Sequence, residues 1–380
     1  MNDVSTVFAD VRPRLQPTVL VVPLSEQRIA LLRGTRQASP SLIVEDASGW
    51  RGAAIRLMNG ARTVEDIACS LGADGHAVEH GDVAHFVDTL LTARVVADGD
   101  AFAMAGLRED EVQRYSRNLN GWTALSTDGR TAAEMQKTLA KGHVLMLGVG
   151  GLGSCSAQAL AMAGCGNITL VDFDRIELSN LNRQLFHTDD VGELKTEVAK
   201  RRLAATNPDV KVSTLPIRLT GRDHMCSILD EVRPDIAVVA IDRPTIAADR
   251  WVNDACFEKG VALVLNSVSA GTGMLWTKVP GRTGCFSCDE LWSKSKTPEH
   301  YEIRRYREQN DLIPATSAFS YGAMTIGGMI TADVIRHLVR WPMASAGRLV
   351  VLDFATLTTT VSEKPPHPDC PICGHLPKGG

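Results

Sequence analysis

The chain reads as an α/β protein, a doubly wound sheet with helices on both faces, preceded by a small α+β domain. Three observations predict it. Strand-length apolar runs alternate with helical stretches from Val144 onward, and a glycine-rich turn, Gly148-Val149-Gly150-Gly151-Leu152-Gly153, follows the first of those runs. The first hundred residues carry a different pattern, short β-prone runs around short amphipathic helices. Strand–helix alternation calls for parallel strands covered on both faces. The expected division is residues 1–104 for the small domain and 105–380 for the sheet domain.

The glycine turn anchors the reading. Behind Val144-Leu145-Met146-Leu147 and the turn comes an alanine-rich helix, Ser154 to Ala163; a second apolar strand then ends in Asp172-Phe173-Asp174, with Ser179-Asn180-Leu181-Asn182-Arg183-Gln184 close after. Glycines let the backbone turn tightly and approach a ligand, the bare amides of a helix start favour an anion, and an acid at the second strand's end is placed for ribose hydroxyls. This is a Rossmann-like nucleotide site. A lone glycine fingerprint would default to a dinucleotide dehydrogenase. Asn180 and Arg183 argue otherwise, since they fall where a triphosphate would lie. Lys195 lies beyond them, and Asp242 closes the apolar run Ile236 to Ile241. An isolated Arg–Lys pair would read as solvated surface charge. Behind a nucleotide turn, two cations and an acid suited to Mg²⁺ are the parts that hold developing phosphate charge.

Together with Gly192-Glu193-Leu194-Lys195 and Ile241-Asp242, these motifs resemble the ThiF/MoeB family, the ubiquitin-activating-enzyme-like adenylating enzymes, over Arg108 to His375. The resemblance implies binding of ATP with Mg²⁺ and attack by a carboxylate on the α-phosphate, giving an acyl-adenylate and pyrophosphate. Gly148, Gly150, Gly151 and Gly153 would then admit the nucleotide, with Asp172 on the ribose and Asp174 and Gln184 beside it. Asn180 would orient the α-phosphate and Asp242 ligate Mg²⁺, while Arg183 and Lys195 offset phosphate charge. In the family, the segment matching Arg114-Tyr115-Ser116-Arg117 sends an arginine into the other subunit's site. Arg117 is that residue by position, although Asn118 replaces the usual Gln. The match implies a homodimer with an arginine finger in trans; the alternative is that Arg117 caps its own helix.

At 380 residues the chain exceeds one ordinary domain. Its net charge of −4 resides in residues 1–100, which hold 9 Arg and no Lys against 13 Asp and Glu. No apolar run matches a membrane span and no basic-then-apolar signal opens the chain, so a cytoplasmic protein is expected, without a membrane partner.

Within the first hundred residues, Thr18 to Leu24 and Gln27 to Arg33 form a candidate hairpin about Ser25-Glu26, with Leu42-Ile43-Val44 as a third strand. Arg51 to Met58 reads as a helix stopped by Asn59-Gly60, and Thr63 with Asp66 as a capping box opening a helix through Leu71. Val83, Phe86, Val87, Leu90 and Leu91 make one helical face, and Val95-Val96 a closing strand. The order describes a winged-helix-like module. Nucleic acid is disfavoured as its partner, because phosphate neutralisation leans on Lys and Arg and the module is net acidic. It resembles instead, through Leu57 to Ile67, the leader-peptide-binding domain of enzymes that modify ribosomally made peptides. Such a domain takes an extended peptide as an added strand. A structural or dimerising appendage is the alternative. Ala97 to Gly106 reads as a linker.

In the sheet domain, a helix from Lys195 to Ala205 ends before Pro208, and Val210–Leu215, Ile236–Ile241 and Val261–Asn266 read as strands. Asp223–Glu231 and Thr245–Lys259 read as the helices between them. Met274–Val279 is an antiparallel strand that makes the sheet mixed, Ala318–Val339 a helix and Arg348–Asp353 the final strand. Cys285-x-x-Cys288 and Cys370-x-x-Cys373 are paired knuckles beside turn-forming residues such as Gly374, fit for a closed, structural Cys₄ zinc (Zn²⁺) site. Cys69, Cys155, Cys165, Cys226 and Cys256 read as buried small residues. Thioester-forming family members carry a cysteine in the crossover loop matching Asp289 to Ser317. This chain has none there, but instead Lys294, Lys296, His300, Arg304, Arg305 and Arg307.

The expected function is ATP-dependent adenylation of a carboxylate on a ribosomally made precursor peptide, bound through the N-terminal domain, toward a peptide natural product (antibiotic), without an enzyme thioester. The architecture resembles microcin-type and pantocin-type peptide enzymes. Activation of a Gly-Gly-ended sulfur-carrier protein and an inactive leader-presenting scaffold are the alternatives. The terminal Lys378-Gly379-Gly380 mimics a carrier tail but reads as a frayed end.

Overall fold

The computed structural model describes residues 10–33, 42–126, 128–244, 246–313, 315 and 317–373. Thr245, Gly374 and the Lys378-Gly379-Gly380 ending lie outside the described residues. The chain divides into two compact units, Met1–Lys137 and Thr138–Gly380.

The first unit opens with β1 (Pro13–Leu15), β2 (Val19–Ser25), β3 (Arg28–Arg33) and β4 (Leu42–Glu45). Then follow α1 (Trp50–Leu57), α2 (Val64–Ala73), α3 (His80–Thr92), β5 (Val96–Asp98), α4 (Glu109–Arg114), α5 (Ser116–Leu125) and α6 (Ala132–Leu139), the last running across the boundary between the units. The hairpin and third strand form an antiparallel sheet in the order β2-β3-β4, and β1 pairs with β5. Leu31, Ile67, Leu71, Val87 and Leu90 bury completely in one core, where Trp50 meets Phe86 edge-on at 5.4 Å between centroids. Helix α1 starts where the sequence expects it through a device the sequence hides. Gly49 turns at φ 76°, and the buried Asp46 carboxylate accepts from the amides of Arg51 (2.9 Å) and Gly52 (2.8 Å). Those are two of the donors a helix start leaves unpaired.

The expected linker is folded. Ala97 and Asp98 belong to β5, Gly99–Phe102 make a 3₁₀ turn, and Phe102 is buried with the Arg14 guanidinium 4.5 Å above its ring. The expected domain limit at 104/105 therefore falls inside the first unit. Gln16 Nε2 donates to the buried Thr123 carbonyl at 3.1 Å and Lys137 Nζ to the Ala105 carbonyl at 2.6 Å, which ties the segment after it to the same body.

The second unit contains β6 (His143–Leu147), α7 (Gly151–Ala163), β7 (Asn167–Val171), α8 (Lys195–Thr206), β8 (Lys211–Leu215), α9 (Arg222–Val232) and β9 (Ile236–Val239). It continues with α10 (Ala247–Lys259), β10 (Ala262–Val268), β11 (Thr272–Lys278), α11 (Phe286–Lys296), α12 (Pro298–Gln309), α13 (Ser320–Leu338), β12 (Arg348–Asp353) and β13 (Thr359–Glu363). One eight-stranded sheet runs β13-β12-β11-β10-β9-β6-β7-β8. The pairs among β6 to β10 are parallel, and those from β10 to β13 antiparallel. The mixed sheet is as expected. Because the chain winds from β6 outward through β7 and β8, then returns to β9 on the other side, the strand order reverses between β6 and β9. Ligands of open α/β sheets bind at such a crevice, beyond the strands' carboxyl ends.

Two readings are corrected here. Arg348–Asp353 is not the final strand: β13 pairs beyond it, and its side chains Thr-Thr-Val-Ser-Glu are all exposed, so no buried alternation announces it. The crossover segment is mostly helix, α11 and α12, held by Arg250 of α10, whose guanidinium pairs with Glu290 and with Glu308 (2.7 Å).

The sequence-read capping box at α2 is present: Thr63 Oγ1 accepts from the Asp66 amide at 3.1 Å and Asp66 Oδ2 from the Thr63 amide at 2.9 Å. Replacing Thr63 by Ala should cost about 1 kcal/mol, read as a lower urea midpoint for the first unit's unfolding at unchanged slope; an unmoved midpoint would mean the box adds nothing.

Candidate active site

The crevice at the strand reversal is a cavity of about 520 Å³ in the second unit, a size that holds a small-molecule ligand. Its floor is the turn after β6. Gly148 sits at φ 91° and donates to the Val171 carbonyl at 2.8 Å. A Cβ on Gly153 would lie 2.0 Å from the Gly148 carbonyl oxygen, so only glycine lets α7 start this close to the strand. No side chain caps α7. Gly150, Gly151 and Leu152 line the cavity, so the helix's first amides are left to a ligand.

Asp172 fastens this turn to β7. Its Oδ2 accepts from the Val149 amide at 2.7 Å and its Oδ1 from the Asp174 amide at 2.9 Å, with the residue 7% exposed. Burial raises its pKa, while the Lys195 charge and those two amides pull it back. The acid expected on a ribose thus also builds the loop, and its remaining lone pairs face a cavity that it lines.

Asp174, Asn180, Arg183, Gln184, Lys195 and Asp242 line the same space. The 93% buried Lys195 reaches Asp174 Oδ2 at 2.8 Å. Arg183 Nη1 donates to the Ser179 carbonyl at 3.0 Å and to Asn182 Oδ1 at 2.9 Å. Asn180 Oδ1 accepts from the Glu177 amide at 3.1 Å, which closes the 3₁₀ turn Leu178–Asn180 and fixes the side chain at the cavity wall. Gln184 is buried with Oε1 lacking a partner among the described residues, an acceptor held ready for a donor.

Burial raises the pKa of Asp242; Arg183, Lys195 and Arg243 each draw it back down, in that order. Those three cations and the acid therefore share one field. Two further residues went unread in the sequence. Arg243 follows Asp242 at the rim and pairs with Asp311 at 3.0 Å. Asn266 lines the cavity from β10, with Nδ2 on the Val239 carbonyl at 2.9 Å and Oδ1 buried without a partner among the described residues. Its signal was available: like Asp172 and Asp242, it is a polar residue closing an apolar strand run.

A single carboxylate at Asp242, with phosphate oxygens and water completing the shell, is a donor set that suits Mg²⁺. Arg117 lies in the first unit, on α5, and is exposed. The four cysteines come together as expected: Cys285, Cys288, Cys370 and Cys373 place their Sγ atoms within 4.8 Å of one another, all buried. Neighbouring pairs stand 3.1 to 3.9 Å apart, against about 3.8 Å for a tetrahedron with Zn–S of about 2.3 Å. The His367 amide donates to Cys288 Sγ at 3.2 Å, and hydrogen bonds from Cys285 and Cys373 hold the Cys288 thiol well below its ordinary range. The set can hold zinc. Among the other cysteines, Cys155, Cys165 and Cys256 are buried as expected, whereas Cys69 is exposed and Cys226 half-buried, each on the outer side of an amphipathic helix.

Comparison with known proteins shows the family. The ThiF family pattern matches residues 115–372. The sulfur carrier protein adenylyltransferase of Thermus thermophilus is 31% identical over 278 residues, 71% of this chain and 93% of that protein. The molybdopterin-synthase adenylyltransferase of Escherichia coli is 29% identical over 281 residues, 71% of this chain and all of that protein. Among solved structures, Escherichia coli MccB with AMPCPP and MccA shares the fold at a TM-score of 0.74 and 23% identity, covering 95% of this chain and 99% of that one. PaaA does so at 0.68 and 20%, covering 91% and 98%. On that family match and those relatives, the chain belongs to the ThiF family and is an adenylyltransferase.

Proposed function

We propose that the chain adenylates a carboxylate of a ribosomally made precursor peptide, on the way to a peptide natural product. The observation that carries this reading is coverage. The likeness to MccB, crystallised with its peptide MccA, runs over 95% of this chain, whereas the sulfur-carrier adenylyltransferases match 71% of it. The family pattern begins only at residue 115 and leaves β1 to β5 with their helices outside it. Activation of a carrier protein is the second reading, favoured by those relatives' higher identity.

In the proposed reaction, ATP lies along the glycine turn with its ribose near Asp172 and its phosphates toward Asn180, Arg183 and Lys195. The peptide carboxylate oxygen attacks the α-phosphorus. The α–β bridging bond breaks, pyrophosphate leaves with the electron pair, and an acyl-adenylate remains. Mg²⁺ on Asp242 would neutralise phosphate charge. Lys195 would exchange Asp174 for a phosphate oxygen, and Arg183 would exchange the Ser179 carbonyl for another. In a homodimer, Arg117 from the partner would add a third cation. No cysteine occurs between Asp289 and Ser317, which supports an acyl group that leaves directly from AMP. The first unit is proposed as a winged-helix-like peptide clamp. Its three-stranded sheet has β2 and β4 as outer strands, and an outer strand's free amides and carbonyls take an extended peptide.

The deciding experiment incubates the chain with ATP and candidate precursor peptides, reading AMP, pyrophosphate and product mass together. Lys195→Ala or Asp242→Ala should lower ATP–pyrophosphate exchange by about a hundredfold or more at nearly unchanged peptide affinity. Exchange supported by a Gly-Gly-ended carrier and by no peptide would replace this reading with the second. Adding a bound precursor should slow amide hydrogen exchange along Val19–Ser25 or Leu42–Glu45, and unaltered exchange at both strands would remove the clamp. Metal analysis should find one zinc per chain, lost in Cys370→Ser/Cys373→Ser together with a lower melting temperature; a metal-free wild type of equal stability would contradict the zinc proposal.

A further inference from the structure

A second cavity, of about 420 Å³, lies in the second unit between one face of β11 and β12 and the helices α11 and α12. It shares no lining residue with the nucleotide cavity. Trp276, directly opposite Leu349 in the β11–β12 register, gives it an apolar floor. Phe286, Asp289, Trp292 and Lys296 come from one face of α11, and His300 and Arg304 from the facing side of α12.

Its charge is one-sided. Lys296, Arg304 and Lys364 line it, and none of them forms an ion pair among the described residues. Instead, Lys296 Nζ stands 4.3 Å over the Trp292 ring and the Arg304 guanidinium 4.2 Å over Phe286. The acids that might answer them are engaged elsewhere. Asp289 is neutralised by the fully buried Lys278 at 2.7 Å, and Glu290 and Glu308 are held by Arg250. Burial pushes Asp249 up to about 7 against the pull of the Arg304 charge, so near neutral pH it answers Arg304 only in part. Three cations over an aromatic floor, none in an ion pair among the described residues and with the cavity's one lining carboxylate, Asp289, paired to Lys278, are matched by a ligand that brings carboxylate and alkyl surface together.

We propose that this cavity is a binding site for an acidic segment of the peptide substrate, its carboxylates on Lys296, Arg304 and Lys364 and its aliphatic carbons on Trp276 and Trp292. This deepens the peptide reading and rests on it for the identity of the occupant. The crossover helices then select substrate by charge while the nucleotide cavity does the chemistry.

The probe is acetyl-Leu-Asp-Glu-Leu-amide, titrated into the full chain without nucleotide and followed by tryptophan fluorescence and calorimetry. The uncharged acetyl-Leu-Asn-Gln-Leu-amide is its control. The acidic peptide should bind about tenfold more tightly than the control. Lys296→Gln/Lys364→Gln should erase that preference while ATP affinity and melting temperature hold. Arg304→Gln is measured beside it, because Arg304 also stacks on Phe286. Equal binding of the two peptides, or a preference that survives in the double variant, overturns the proposal. Since no nucleotide is present, a chain that adenylates peptides yet fails this titration loses the cavity and keeps the function. One that passes it while activating only carrier proteins keeps the anion site and loses the peptide reading.

Discussion

The nucleotide cavity depends on one buried carboxylate. Asp172 takes the amides of Val149 and Asp174 on its two oxygens and so ties the turn after β6 to the end of β7, in addition to the sheet pairing of Leu147 with Val171. A buried carboxylate is costly unless hydrogen-bonded or paired. Here two amides and the nearby Lys195 compensate it, and the compensation holds the glycine turn in one conformation. The same turn needs the bare Cα of Gly153 against the Gly148 carbonyl. Backbone packing and charge balance are therefore a single constraint, and α7 begins with its amides directed at the ligand because both are met.

The rest of the site is charge already assembled on internal partners. Lys195 rests on Asp174 and Arg183 on a carbonyl and an amide oxygen, while Arg243 is tied to Asp311. These partners all lie on segments outside the strands. Preorganised charge of this kind avoids reorganisation during reaction. Around it, Arg250 binds the crossover helices to α10, and the four cysteines bring the segment after β13 to the start of α11. Remote parts of the chain are thus held together in the second unit outside the residues that line the cavity.

Much of this was legible because the signals are local. The glycine turn, the acids closing β7 and β9, the box at Thr63 and the two cysteine knuckles each depend on residues a few positions apart, and each falls where expected. What escaped carries no such local signature. Asp46 caps a helix that begins after an intervening turn, β13 is a wholly exposed polar strand that exists through pairing with β12, and the run from Ala97 to Gly106 looked like a linker because Phe102 is its one large anchor. The crossover helices were hidden for a related reason. Helix α12 has no buried residue, so no apolar face marked it, and its position rests on the Arg250 ion pairs.

By itself the sequence determined the alternation of strands and helices, the position of the nucleotide turn and the identity of the groups around it, since hydrophobic period, backbone freedom and side-chain chemistry are properties of short stretches. Tertiary structure decided the strand order, which brings the ends of β6, β7 and β9 to one crevice, and it decided which charges are satisfied and which are left free. Arg250 and Lys296 are alike as cations in the sequence. One is spent on Glu290 and Glu308 and the other faces a cavity, because the helices' packing sets the distance between charges and Coulomb attraction follows distance, whatever the spacing along the chain.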